Sequence, residues 1–172
     1  MATMNAEQVT VGAAAATGAI FVAPITASLP TDATTALGSS FVCLGYASED
    51  GLTNDNSPDS DKIKAWGGDT VLVTQTDYSE TYTCTLIETL DVGVKKAAFG
   101  DANVSGTLAT GITTIGNSKE LEAHAWVFEM VQNGATVRKV LPNAKVTEVG
   151  EITYSDSEAI GYELTIKALP DS

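Results

Sequence analysis

The densest group of potential metal ligands in the sequence is an acidic segment between residues 49 and 61. Asp55, Asp59 and Asp61 carry carboxylate oxygens at spacings that resemble a calcium-binding loop. The segment lacks the glycine at the sixth position and the glutamate at the twelfth position that such loops use. We therefore expect no metal site here and interpret the segment as a solvated or partner-contacting loop.

Other residues suited to catalysis are few. His124 is the one histidine in the sequence, which excludes most imidazole-based catalysis and metal sites built from several histidines. Cys43 and Cys84 lie in strand-like runs, and we interpret them as buried free thiols, although a disulfide between neighbouring strands also fits the sequence. Nucleophile-elbow, zinc-protease and C-x-x-C motifs are absent from the sequence. We predict a protein that is not an enzyme and has no cofactor.

The charge restricts the possible partners. The chain has 172 residues, with 9 Lys+Arg against 22 Asp+Glu and a formal net charge of −13. Nucleic acids and anionic lipids both attract basic side chains, so this charge argues against binding to either. The longest apolar stretch, residues 11–25, is too short for a membrane span of about 20 residues, and no basic segment precedes it. We expect no membrane association and no export signal.

Alternation of apolar and polar residues predicts a mainly β protein with antiparallel strands in a sandwich or barrel. Asn133-Gly134 is a strong two-residue hairpin signal, and residues 103–116 are interpreted as a loop or edge strand. One flanking helix is expected over residues 89–99, with Thr89 or Asp91 as its N-cap. The strands are expected at residues 17–24, 39–48, 69–89 with a reversal near 76–79, 121–132, 136–141 ending at Pro142-Asn143, 145–154 and 158–169.

The length and the absence of internal repeats predict a single domain over residues 1–172. Residues 1–16 are interpreted as an N-terminal arm, and residues 17–171 as the β-sandwich core. Within that core, residues 48–66 are rich in Asp, Asn, Ser, Gly and Pro and are interpreted as a long loop between strands.

Several short runs follow one another in a recognisable order along residues 17–171. The runs are Leu44–Leu52, Ile63–Gly67, Tyr82–Thr89, Ala125–Phe128, Val140–Gly150 and Glu158–Ile166. In this order and spacing they resemble the major tail protein, or tail tube subunit, of bacteriophages with long non-contractile tails. The resemblance covers nearly the whole chain and depends on the combination of runs rather than on any single motif.

The resemblance implies a structural virion protein that forms hexameric rings, which stack into the tail tube through which the genome reaches the host. It also implies that strands from each subunit join into a continuous inner barrel. The implied partners are further copies of the chain, the tape-measure protein, the tail terminator and tail-tip proteins. DNA is expected to pass through the lumen without specific binding. Assembly is expected in the cytoplasm of the host bacterium.

By position, the resemblance assigns residues 48–66 as the loop that binds the neighbouring ring. Its candidate contact residues are Glu49, Asp50, Leu52, Asp55, Asp59, Asp61, Ile63 and Trp66. The excess of acidic residues suggests a channel wall that repels DNA phosphates. The alternative function is an acidic β-sandwich module for carbohydrate binding or adhesion. That alternative requires a strip of exposed aromatic side chains, whereas Trp66, Trp126 and the tyrosines are scattered along the sequence.

Overall fold

A computed structural model of the protein describes residues 4–171. The first three residues of the expected N-terminal arm therefore lie outside the described part. Helix α1 spans Val92–Phe99, and short 3-10 turns occupy Ala6–Gln8 and Asp101–Asn103. The strands are β1 (Ala13–Ala14), β2 (Ile20–Pro24), β3 (Val42–Cys43), β4 (Ala47–Lys64), β5 (Thr70–Leu86), β6 (Val104–Thr107), β7 (Gly111–Thr114), β8 (His124–Gln132), β9 (Ala135–Val149) and β10 (Tyr162–Ala168).

The strands form one large antiparallel sheet and one small one. The large sheet has eight strands in the order β3-β2-β8-β9-β10-β5-β4, and β1 pairs with β8 beyond the end of β2. Strands β6 and β7 form a separate hairpin within residues 104–114, a region for which the sequence predicted a loop or an edge strand. The sheets are sandwich-like and do not close into a barrel. The prediction of a mainly β, antiparallel sandwich with one helix is confirmed.

The hydrophobic core lies where the central strands pack against α1. Strand β8 contributes Trp126 and Phe128 to this core, and α1 contributes Val94 and Ala98. Alternate residues of two further strands complete the core: Tyr82, Cys84 and Leu86 from β5, and Tyr162, Leu164 and Ile166 from β10. This arrangement anchors the inner end of β5 firmly in the sheet.

Helix α1 begins at Val92, three residues later than the sequence predicted. The Asp91 side chain is the N-cap, since its Oδ1 accepts hydrogen bonds from the backbone N–H of Gly93 at 2.6 Å and of Val94 at 3.2 Å. Leu90 precedes the helix and is exposed. Gly93 is an unfavourable helix residue, but a Cβ there would lie 3.2 Å from Cγ1 of Val42. Its lack of a side chain allows the helix to approach β3 closely.

The prediction of a loop over residues 48–66 is wrong. Residues 47–64 form β4, which pairs with β5 from Ala47 to Lys64, and the chain reverses at residues 65–69. The residues that suggested a loop have other roles here. Gly51 has a φ of 70° at an irregularity in the pairing, and Pro58 is tolerated because β4 is an edge strand of the sheet.

Two other predicted strand boundaries are also wrong. Strand β5 runs without reversal from Thr70 to Leu86, and the register shift near Thr76 is a β-bulge rather than a turn. Strand β9 continues through Pro142 to Val149. The proline is accommodated because the β8–β9 pairing is irregular at that point, where a missing N–H costs little.

The remaining predictions fit the fold more closely. Asn133 and Gly134 have φ angles of 47° and 79°, as a two-residue hairpin turn requires, and they connect β8 to β9. The strand predicted at residues 39–48 is reduced to β3 and the start of β4. The strands predicted at 145–154 and 158–169 correspond to the end of β9 and to β10, which pair with each other.

Candidate functional site

The most unusual feature of the structure is the outer part of the β4–β5 hairpin. Every residue from 53 to 78 is exposed, on both faces of the two strands; we call this segment the outer hairpin. With about 12 residues per strand, at about 3.3 Å per residue, it projects roughly 40 Å beyond the core. A lone two-stranded hairpin is only marginally stable in water. A projection of this length therefore calls for a partner surface.

The pairing register places most of the acidic residues of the outer hairpin on one face. Side chains alternate between faces along a strand, so Asp55, Asp59 and Asp61 of β4 share a face. Asp77 of β5 lies directly opposite Asp59 on that face. Like charges in directly opposed positions destabilise a hairpin. We call this surface the acidic face.

The end of the hairpin has a different character. The hairpin tip, which we define as residues 62–73, exposes five large apolar side chains: Ile63, Trp66, Val71, Leu72 and Val73. Trp66 lies in the turn and is fully exposed. Exposed apolar clusters of this kind mark interaction surfaces in monomeric proteins. Lys62 and Lys64 flank Ile63, and neither forms an ion pair within residues 4–171.

A hydrogen-bond network fixes the hairpin where it leaves the core. The Tyr82 hydroxyl donates to Oε1 of Glu80 at 2.5 Å, and Lys139 Nζ donates to Oδ1 of Asn54 at 3.0 Å. The Tyr82 ring stacks on Phe128 with a centroid separation of 4.9 Å. The hydrogen bond from Tyr82 lowers the pKa of Glu80. Burial, reinforced by Glu80, raises the pKa of Tyr82. The network therefore keeps a charged carboxylate and a neutral phenol at the root of the hairpin.

A groove of about 930 Å³ lies on the same side of the core as the start of β4. Its walls are the N-terminal segment at residues 12–20 and the β3–β4 segment at residues 45–52; we call it the arm groove. Alanine and glycine make up 10 of its 21 lining residues, and β8 contributes Phe128 and Met130. Glu88 lines the groove, where its Oε1 accepts a hydrogen bond from the backbone N–H of Tyr46 at 2.9 Å. Cys43 also lines the groove.

A projecting hairpin and an open groove on one chain are the features of a subunit that binds copies of itself. A family model described as phage tail tube protein matches residues 2–172. The chain belongs to the phage tail tube family. Curated proteins gave no match. Membership makes the chain a structural protein of the virion tail that associates with itself in the tube. Within residues 4–171, no helix is long and apolar enough to cross a membrane.

The fold of this tail tube protein separates the residues that the sequence singled out. Asp55, Asp59, Asp61 and Ile63 share the acidic face, and Trp66 lies in the turn. Extended pairing spreads the three aspartates along a strand, and no cluster of metal-ligating side chains occurs within the described part of the chain. The other three candidates lie at the root. Glu49 and Asp50 are exposed at the pairing irregularity, and Leu52 packs against the core.

Sequence reasoning missed the residues of β5 that complete these surfaces. Asp77 joins the acidic face, and Leu72 lies opposite Ile63 near the tip. The missing information was the register, which brings together residues that are widely separated in sequence. The sequence shows that Lys62 and Lys64 alternate with Ile63. It does not show that both lysines are exposed, because that follows from the hairpin.

The other residues considered for chemistry have structural roles in this tail tube protein. Cys84 is buried, and burial raises its pKa to about 12, which keeps the thiol protonated. Cys43 and Cys84 are both free, as the sequence suggested, but only Cys84 is buried and Cys43 is partly exposed. His124 is partly buried at the start of β8, where its Nδ1 lies 3.1 Å from the backbone oxygen of Glu122. Trp126 is fully buried in the core.

A buried ion pair attaches the long β2–β3 connection to the sheet. Arg138 Nε donates to Glu129 Oε1 at 2.7 Å, and both side chains are almost completely buried. The same guanidinium donates to the backbone oxygens of Asp32 and Thr35 at 2.6 Å and 3.0 Å. Hydrogen bonds from Thr35 and Thr34 lower the pKa of Asp32 and close this turn. The connection is thereby held against β8 and β9.

Proposed function

We propose that the protein assembles into hexameric rings that stack to form the tail tube, and that this tube conducts the phage genome to the host. The observation that carries the proposal is the outer hairpin, which exposes both faces and an apolar tip. Such a hairpin gains stability by packing on another molecule. Family membership supports the tube as the assembly in which that packing occurs.

The large sheet supports edge-to-edge joining of subunits within a ring. Its terminal strands are β3 and β4, and neither has a second strand partner within residues 4–171. An open edge presents unpaired N–H and C=O groups that pair readily with another strand. Six copies joined through such edges would close the sheet into the continuous inner barrel of a tube.

The outer hairpin supports contact between rings. At roughly 40 Å it is long enough to span from one ring to the next. We assign its contact residues as Glu49, Asp50, Leu52, Asp55, Asp59, Asp61, Ile63 and Trp66. In this assignment the residues at the tip make the apolar contact, and those at the root border the site where a neighbour binds.

The charge of the chain supports free passage of DNA. Six copies would carry six times the net charge of −13, and part of that charge would face the lumen. Screening over about 8 Å weakens this field but does not remove it in a narrow channel. DNA would pass without specific binding because a wall with few basic groups releases few counterions from phosphate. The lumen would hold the tape-measure protein before DNA enters.

A tube as the final assembly also implies proteins at its two ends, a place of assembly and a structural role. Its two ends would be bounded by tail-tip and tail-terminator proteins, and assembly would take place in the cytoplasm of the host bacterium. The role is structural rather than enzymatic. The family assignment favours this role over the carbohydrate-binding alternative.

Electron microscopy of a hairpin-shortened variant tests the proposal. Replacing residues 57–79 with Asn-Gly joins Asn56 to Glu80, which are already cross-strand partners, and retains the Tyr82–Glu80 hydrogen bond. We expect the wild-type protein to form rings and tubes at high concentration, and the variant to fold without forming tubes. Circular dichroism supplies the folding control. Tubes formed by the shortened variant, or sixfold symmetry absent from wild-type tubes, would contradict the proposal.

A further inference from the structure

The hairpin tip exposes a tryptophan and two lysines, and the arm groove of the same chain is lined by many small residues and a carboxylate. We propose that the hairpin tip of one copy binds in the arm groove of the next copy, with Trp66 inserted between the N-terminal segment at residues 12–20 and the start of β4. This inference rests on the proposed tube assembly and identifies the surface that receives the hairpin.

The tip has the composition of an anchor for such a groove. Trp66 is fully exposed in the turn, and Ile63 and Leu72 lie opposite each other just below it. A tryptophan buries about 150–250 Å² when it becomes enclosed, and it is enriched among the residues that dominate binding energy. Its exposure in a single copy is therefore best explained by burial in another.

The groove has the shape of a receptor for a large side chain. Its volume of about 930 Å³ is near the upper end of the range typical for ligand pockets. Residues 12–16 and 18–19 of its wall are all alanine or glycine, so no bulky side chains from these positions fill the space. At Gly45, which has a φ of 69°, a Cβ would overlap the Glu88 carboxyl group. The backbone therefore approaches this carboxylate closely.

Charge supports the same pairing. The tip carries Lys62 and Lys64, two of the nine basic residues of the chain, and one acidic residue, Asp69, so its net charge is positive. The groove lining includes the carboxylate of Glu88 and no lysine or arginine. Glu49 and Asp50 are exposed next to the lining residue Ser48. The basic tip therefore meets an acidic rim, which guides the approach and fixes the register of an interface.

The positions of the two surfaces make the contact intermolecular. The groove lies at the root of the hairpin, about 40 Å from the tip of the same hairpin. Two different patches that bind each other form a head-to-tail interface, which propagates from copy to copy. One tip and one groove per copy are therefore sufficient to connect successive rings.

Disulfide trapping between two distinguishable proteins tests this contact directly. One protein carries Ala65→Cys next to Trp66 together with Cys43→Ala, which removes its own groove thiol. The other is the wild-type chain with a mass tag, in which Cys43 lines the groove and Cys84 is buried. Mild oxidation of the mixture is expected to give a reducible heterodimer of tip and groove. Peptide mass spectrometry should locate the bond at residues 65 and 43.

A matched control places the new cysteine halfway along the hairpin. The Ser57→Cys, Cys43→Ala protein offers an equally exposed thiol, yet it should yield at least several-fold less heterodimer with the tagged chain. Equal yields from Ala65→Cys and Ser57→Cys, or dimers formed only between identical tips, would overturn the assignment of the groove.

Charge reversal in the same trapping experiment tests the electrostatic part of the contact. Lys62→Glu with Lys64→Glu in the tip protein should reduce the heterodimer several-fold. Glu49→Lys with Asp50→Lys in the tagged protein should restore it, because opposite charges again face each other. Loss without restoration would overturn the charge pairing.

The outcomes separate this inference from the tube proposal. Wild-type tubes without tip–groove heterodimers would leave the tube in place and overturn the groove as receptor. Heterodimers without rings or tubes would support the groove and contradict the proposed assembly. Absence of the heterodimer overturns the inference whether or not tubes form.

Discussion

The two halves of strand β5 have the same secondary structure and very different surroundings. In the inner half, Tyr82, Cys84 and Leu86 are buried between β10 and the start of β4. In the outer half, Val71, Leu72 and Val73 are all exposed. Both halves carry apolar side chains and pair with β4 in antiparallel orientation. The difference is that the core of the same chain covers one half and leaves the other open.

This difference shows how one strand can serve two purposes. The inner half obtains its stability from burial within the chain, at about 25 cal/mol for each Å² of apolar surface. The outer half gains little burial free energy in a single copy, because its apolar side chains remain in water. We infer that the apolar residues of the outer half stabilise the assembly rather than the fold, and each prediction below tests that division.

The largest contrast is expected between two leucines of β5. Leu86→Ala should lower the free energy of unfolding by about 2–5 kcal/mol, because it leaves a cavity in the core. Leu72→Ala should change it by less than about 0.5 kcal/mol, since the site is exposed. Urea denaturation measures both values. A loss of more than about 1.5 kcal/mol for Leu72→Ala would mean that the outer half contributes to the fold after all.

Removal of the helix cap should have an intermediate effect on the inner half. Asp91→Ala removes the acceptor for the N–H groups of Gly93 and Val94, and such changes cost about 1 kcal/mol. Asp91→Asn retains an acceptor and serves as the control. Thermal denaturation of the two variants should show the lower Tm for alanine. Identical Tm values would indicate that the cap does not support the side of the core that covers β5.

Removing a charge from the acidic face is expected to stabilise the outer hairpin slightly, whereas the substitutions above destabilise the protein. Asp77→Asn removes one of two opposed negative charges without changing side-chain size. The free energy of opening the outer hairpin should therefore rise by about 0.2–1 kcal/mol. Amide hydrogen exchange of residues 53–78 measures this change, and Asp55→Asn, whose cross-strand neighbour is Thr81, is the control. Faster exchange in Asp77→Asn would show that the aspartate has a favourable contact.

The smallest effect is expected at the root, where the halves meet. The pKa of Glu80 is lowered in the folded protein, so its contribution to stability is present above the normal carboxyl pKa of about 4.3 and is lost as the pH falls through the folded value. Glu80→Gln should therefore be less stable than wild type at pH 7, and the difference should shrink by pH 3. Urea denaturation at both pH values measures it. A difference that grows towards pH 3 would contradict the direction of the shift.

The sequence predicted the inner part of the molecule better than the outer hairpin. Asn133-Gly134 is a local signal that determined a turn without tertiary information, and local sequence also offered Asp91 as one of two candidate N-caps of the helix. Alternation at Tyr82, Cys84 and Leu86 revealed a half-buried strand because one face really is buried. For these elements, residue type and burial agree.

The outer hairpin could not be recognised in the same way. A strand exposed on both faces has no buried side, so residues 53–62 show no apolar alternation. Asp, Asn, Ser and Pro58 then read as loop residues, although an edge strand accepts all of them. The candidate contact residues all lie in β4 or in the turn that follows it, but their division between an acidic face, a tip and a root depends on pairing with β5.

Hydrogen exchange before and after assembly tests the central claim most directly. Amides of residues 53–78 and of residues 82–86 are compared by mass spectrometry in the single copy and in assembled tubes. We predict rapid exchange of the outer segment in the single copy and strong protection in the tube, with the inner segment protected in both. Assembled tubes in which residues 53–78 exchange as fast as in the single copy would contradict the claim that this hairpin is completed by its neighbours.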